Sequence, residues 1–173
     1  MNWRGFTIVE IIITITIMGI LLVLGTVVLN QAQVQARDDE RISDVETLGV
    51  HLDKFFQVGL SQSISATIGR YPTTNLTSSK AIMLSTLDGI NEKTLMAPGV
   101  TDPTQTFKAA QNNDQTTGGV LPQPTTSEYI YQPIRSDGEL CTGTVGNEDC
   151  RKFNIFYRLE QDNAVHKYES KNQ

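Results

Sequence analysis

At 173 residues the chain has the length of about one domain, and its 14 Lys and Arg against 19 Asp and Glu leave a net charge of −5 and a pI near 5.0. This balance excludes the overall basic character on which sequence-independent nucleic-acid binding rests, so no direct nucleic-acid partner is expected.

The chain opens on a small basic head, MNWRG. Residues 6–29 (FTIVEIIITITIMGILLVLGTVVL) are then uncharged except for Glu10. As a helix this run spans about 36 Å at roughly 1.5 Å per residue, enough to cross a hydrocarbon layer of about 30 Å with some tilt. It is too long for the apolar core of a cleaved secretory signal, about 7–15 residues, so a retained membrane helix is expected. Arg4 and the initiator amine precede it, and a charge-mixed, slightly acidic flank, Arg37-Asp38-Asp39-Glu40-Arg41, follows. That asymmetry keeps the short head cytoplasmic and sends the rest out. A carboxylate in hydrocarbon costs roughly 2.5–3.5 kcal/mol on insertion scales, so Glu10 needs a partner unless it snorkels to the nearby boundary.

Taken together, the basic head, the Gly5-Phe6 junction, the spacing to Glu10 and the apolar run resemble the class III signal of type IV pilins and of the pseudopilins of type II secretion and DNA-uptake machines. The resemblance implies cleavage by a prepilin peptidase between Gly5 and Phe6, N-methylation of Phe6, and a filament-assembly role for Glu10. It also implies storage in the cytoplasmic membrane, then extraction into a helical filament of like subunits by an assembly ATPase and a membrane platform protein. Simple electrostatics supports the Glu10 role. A freed amine at Phe6 of one subunit and a carboxylate of another attract far more strongly in a low dielectric than in water, although each costs desolvation.

Beyond the membrane run, residues 30–36 are rich in Gln and Ala. Apolar residues then recur at Ile42, Val45, Leu48, Leu52, Phe55 and Phe56, one stripe on a helix that Gly59 ends. Periodicity alone fits either packing on a head or a short coiled coil. The result is a helix of about 50 residues with no proline, in which Gly19 and Gly25 either soften the span or are the small residues common in such spans. Gly69-Arg70-Tyr71-Pro72 resembles the GxYP element of pseudopilin-like proteins, after a somewhat long insert at residues 59–68. A short helix is expected over residues 80–87, begun by Ser78 or Ser79, and turns at Met96-Ala97-Pro98 and Asp102-Pro103, which resemble a segment found before the sheet in these heads. Residues 105–127 are Gln-, Thr-, Asn- and Gly-rich and are expected to form a long surface loop.

Residues 128–134 (EYIYQPI), 153–159 (FNIFYRL) and 164–168 (AVHKY) read as strands, the last two joined by a tight turn at Gln161-Asp162-Asn163, with antiparallel pairing expected throughout. Cys141 and Cys150 lie in the exported part, where oxidising conditions permit a disulfide, with free thiols the alternative in an anaerobe. Their loop resembles, in shorter form, the C-terminal disulfide region of type IV pilins. It also carries Asp137, Glu139, Asn147, Glu148 and Asp149. Calcium binding is one reading of these acids, since some major pseudopilins use calcium in such loops, but no EF-hand spacing is present and a solvated acidic loop is preferred. His51 and His166 are isolated, and no metal or cofactor is expected.

The fold class implied is α+β, a pilin-like lollipop with a long N-terminal helix on a small antiparallel head. Its divisions are a leader at 1–5, a transmembrane segment at 6–29, an extramembrane helical half at 30–58 and a head at 59–173. No GxSxG, HExxH, P-loop or dinucleotide turn occurs, and no enzymatic activity is expected. The alternative is a single-pass membrane protein with a sensor or enzymatic head that never polymerises. The sequence does not separate a surface pilus from a secretion or competence pseudopilus.

Overall fold

The computed structural model describes residues 5, 7–59, 67–143 and 148–172. Residues 1–4 of the expected leader, Phe6, residues 60–66 of the insert, and Asn147 lie outside them. The chain divides into two compact units, residues 1–36 and 37–173. The architecture is α+β, with one long N-terminal helix and a small four-stranded mixed sheet.

Helix α1 (Ile8–Val58) is 51 residues long and holds no proline, so no backbone donor of its ladder is lost. Its apolar stretch is long and apolar enough to cross a membrane, and none of it is buried. The helix ends where expected. Gly59 takes a left-handed φ of +72°, which a residue without Cβ adopts at little cost, and its N–H donates to Phe55 O at 2.7 Å.

Within the second unit, the predicted stripe is the buried face of α1: Val45, Leu48, Leu52 and Phe55 are all at most 4% exposed. Val45, Leu48 and Leu52 pack with Tyr71, Leu76, Met83, Phe107, Tyr131, Phe153 and Ile155 in one core. Helix α2 (Lys80–Thr86) starts at Ser79, whose Oγ accepts the Ile82 N–H at 3.3 Å. A turn was expected at Asp102-Pro103. Instead, one turn of helix, α3 (Pro103–Thr106), begins there, because Asp before Pro serves equally as an N-cap with proline at N1. The Asp102 carboxylate accepts the Thr104 N–H at 2.9 Å.

The sheet has the order β1-β2-β3-β4, with β1 Phe107–Ala109, β2 Tyr129–Arg135, β3 Cys150–Arg158 and β4 Val165–Glu169. β2–β3 and β3–β4 are antiparallel as expected, and Asn163 at φ 53° turns the chain between β3 and β4. The first pair corrects the expectation of a wholly antiparallel sheet: β1 runs parallel to β2, with Phe107 opposite Tyr129. Parallel neighbours need a crossover of about a dozen residues or more, and the polar segment between Ala109 and Tyr129 supplies it.

That segment is also not the free surface loop expected over residues 105–127. Thr106, Phe107, Ala110 and Val120 within it are buried. Both faces of β2 carry large side chains. Tyr129 and Tyr131 point into the α1 core, whereas Ile130 joins Phe156 on the opposite face, where Ala110 and Val120 complete a second cluster. On that face the buried Gln132 accepts from Asn154 Nδ2 at 2.9 Å and donates to Asn112 O and Asp114 O, both at 2.9 Å. The polar composition thus reflects hydrogen bonding to a buried polar pair, not solvation alone.

Candidate functional site at the helix N-terminus

Gly5 is exposed and precedes the helix. Thr7 stands at the N-cap, and Glu10, three residues on, lies in the first turn. The Glu10 N–H donates to Thr7 Oγ at 3.3 Å, while Glu10 Oε2 accepts from the Thr7 N–H and hydroxyl, each at 3.4 Å. This reciprocal arrangement is a capping box, and it supplies partners to helix-end donors that otherwise have none. Within its own chain, then, the Glu10 carboxylate has only long, neutral partners, with no cation paired to it among the described residues. The T-x-x-E spacing at residues 7–10 is itself the signature of a capping box, a role for Glu10 beside assembly and snorkelling.

Downstream, the apolar side chains of residues 8–24, Val28 and Leu29 are exposed on every side of the helix. Thr14, Thr16 and Thr26 turn their hydroxyls back onto the carbonyls of Ile11, Ile12 and Val23 at 2.7–2.8 Å, so they present little polarity to an apolar surrounding. A helix apolar all round is stable only when surrounded by lipid or by other apolar helices.

The charge-mixed flank after the apolar run has a role the sequence did not announce. Arg41 is 2% exposed. It donates to Asp38 Oδ1 at 2.8 Å, to Glu160 Oε1 at 2.5 Å and to Thr126 O at 2.7 Å. Arg37 grips the same Glu160 through two bonds at 2.9 and 2.6 Å. Asp38 in turn accepts the backbone N–H groups of Glu160 and Gln161 at 2.8 and 2.9 Å. Three residues of one helical turn therefore lock the end of β3 to α1. The Arg37 hydrogen bonds, reinforced by Arg41, hold the Glu160 carboxyl down at about 2. One turn further on, Asp44 sits half-buried beneath the Tyr129 hydroxyl, and burial together with the Glu40 charge pushes its carboxyl up to about 7.

Cys141 and Cys150 form a disulfide, with Cα atoms 6.0 Å apart and both residues fully buried. The Tyr71-to-Thr74 strand of chain is hydrogen-bonded to both ends of the bridge, Tyr71 N–H to Cys150 O at 2.8 Å and Thr74 N–H to Cys141 O at 2.9 Å. The Gly69-to-Pro72 element thereby joins the disulfide loop to the core: Tyr71 is buried, donates to Asp53 Oδ1 at 2.8 Å, and packs edge-on against Phe153. The acids of the loop do not converge on a cation cage among the described residues. Asp137 pairs with Arg135 at 2.7 Å, Asp149 with Arg151 at 2.7 Å, and Glu139 accepts from Asn113 at 3.0 Å. Glu148 lies beside the two sulfurs, but these are bonded to each other and are not thiolate ligands.

Comparison with protein-family models, with curated proteins and with solved structures gives no match. The functional reading therefore stands on the residues themselves.

Proposed function

We propose that this chain is a structural, non-catalytic subunit of the prepilin or pseudopilin kind. It is cut between Gly5 and Phe6 by a prepilin peptidase, methylated at Phe6, held in the cytoplasmic membrane by residues 6–29, and polymerised into a pilus-like or pseudopilus filament through its apolar helix. In this reading the molecule has the pilin-like lollipop layout, with the head outside the cytoplasm. Its partners are other copies or related subunits, the peptidase, an assembly ATPase and a membrane platform protein.

The observation that supports it is a single carboxylate, Glu10, at the start of an unbroken apolar helix whose side chains are unburied on all faces. A plain anchor has no need of an acid there. A filament does, because the Phe6 amine of a neighbour gives that acid a charged partner and sets the axial stagger between subunits. Removing the apolar stretch from lipid into a helix bundle keeps it from water throughout.

Mass spectrometry of the purified protein tests the reading. The expected result is a chain that begins at N-methylphenylalanine, with Glu10→Ala processed normally yet failing to assemble, as seen in sheared cell-surface material by electron microscopy. A chain beginning at Met1 in a strain with active peptidase, or wild-type assembly of Glu10→Ala, refutes it. In that event a tethered, non-polymerising ectodomain takes its place.

A further inference from the structure

The disulfide loop contains a side chain whose position is not explained by fold or assembly. A Glu148 carboxylate oxygen and the sulfurs of Cys141 and Cys150 all lie within 4.8 Å of one another. Glu148 Oε2 is buried and has no hydrogen-bond partner among the described residues. The side chain is folded over Gly143, so closely that a Cβ there would come within 2.6 Å of Oε1. The nearby cations are engaged elsewhere: Arg151 binds Asp149 at 2.7 Å and Gly69 O at 3.1 Å, and Arg70 binds Asp149 at 3.5 Å. Placing an acid against an apolar, fully buried bridge without a cation of its own costs desolvation, so some gain must offset it.

We infer that Glu148 is an electrostatic guard of the Cys141–Cys150 bridge, set to repel thiolates and so to keep the bridge oxidised. Thiol–disulfide exchange begins when a thiolate attacks one sulfur. A new S–S bond forms, the Cys141–Cys150 bond breaks, and the electron pair leaves on the other cysteine as a thiolate. The second thiolate of the reductant then resolves the mixed disulfide, so the reductant is oxidised to its own disulfide and both cysteines are released, taking protons from water. Negative charge is spread over three sulfurs at the transition state, and Glu148 lies within 4.8 Å of both protein sulfurs, whichever is attacked. The carboxylate therefore opposes attack at either one and also destabilises the thiolate that leaves.

The test follows reduction of the full chain in detergent micelles, quenched by alkylation and read by mass, for the wild type and Glu148→Gln, which keeps the shape and removes the charge. With dithiothreitol near neutral pH, Glu148→Gln is expected to be reduced about tenfold faster, the ratio for a charge about 5 Å from the reacting sulfur at an effective dielectric of roughly 50, between bulk water and the protein surface. With an uncharged phosphine the two proteins should differ by less than about twofold, since no anion approaches and the phosphonium charge that forms offsets that of the leaving thiolate. Molar salt should accelerate the wild type with dithiothreitol more than the variant. Equal rates with dithiothreitol overturn the inference. So does an equal acceleration with both reductants, which would mean that the substitution merely opens the loop.

Discussion

Replacing Arg41 with methionine probes the charged lock between α1 and the end of β3. Methionine keeps the stem that fills the space, so the loss is chiefly of the guanidinium and its bonds to Asp38, Glu160 and Thr126 O. Removing one partner of a buried ion pair costs about 3–5 kcal/mol, because the charge left behind is uncompensated. Here Glu160 keeps both bonds to Arg37, and Asp38 keeps two backbone N–H donors, which places the expected loss at the lower end, about 3 kcal/mol. For a unit the size of residues 37–173 this lowers the melting temperature by roughly 10 °C. Thermal unfolding of the full chain in detergent micelles, followed by near-UV circular dichroism of the buried tyrosines, measures it. Adding Asp38→Asn and Glu160→Gln to Arg41→Met should recover part of the loss, since the stranded charges go too. A fall below about 1 kcal/mol for Arg41→Met alone, the range of an exposed pair, would mean that the lock is solvated and the argument from burial fails.

Asp44 predicts an opposite pH response to that of Glu160. Its folded pKa is raised, so its neutral form is the one the fold prefers. The contribution is complete below the ordinary carboxylate range and is lost as pH rises through about 7. Asp44→Asn should therefore melt higher than the wild type at pH 8 and match it near pH 4, and a constant difference at both pH values would exclude titration as the cause. Gly49 meets the ring of Tyr168, and a Cβ there would overlap it. Gly49→Ala should thus destabilise the head by about 1–3 kcal/mol despite alanine's better helix propensity, an outcome checked by the same melts. Gly5→Val should block leader removal, visible as a retained MNWRV head by mass; normal processing of this variant would show that the junction tolerates bulk.

The membrane-length run, the place of Glu10, the amphipathic stripe from Val45 to Phe55, the helix end at Gly59 and the strands after Glu128 were legible in the chain itself. Each depends on residues near one another in sequence: a long apolar window, a 3.6-residue period, a glycine free to take positive φ, and alternating aromatic and β-branched side chains. What only the tertiary structure decided depends on residues far apart. Phe107 to Ala109 has no strand pattern of its own and becomes β1 because the free edge and second face of β2 need covering, which also turns the polar 105–127 segment into a crossover. Arg37, Asp38 and Arg41 read only as a charge-mixed flank of the membrane run until Glu160, more than a hundred residues later, is brought against them. The Asp44 carboxyl is raised chiefly by burial, which no local spacing encodes, with the Glu40 charge one turn back adding to it. Local periodicity specifies which elements form, whereas burial and charge pairing are properties of what those elements are folded against.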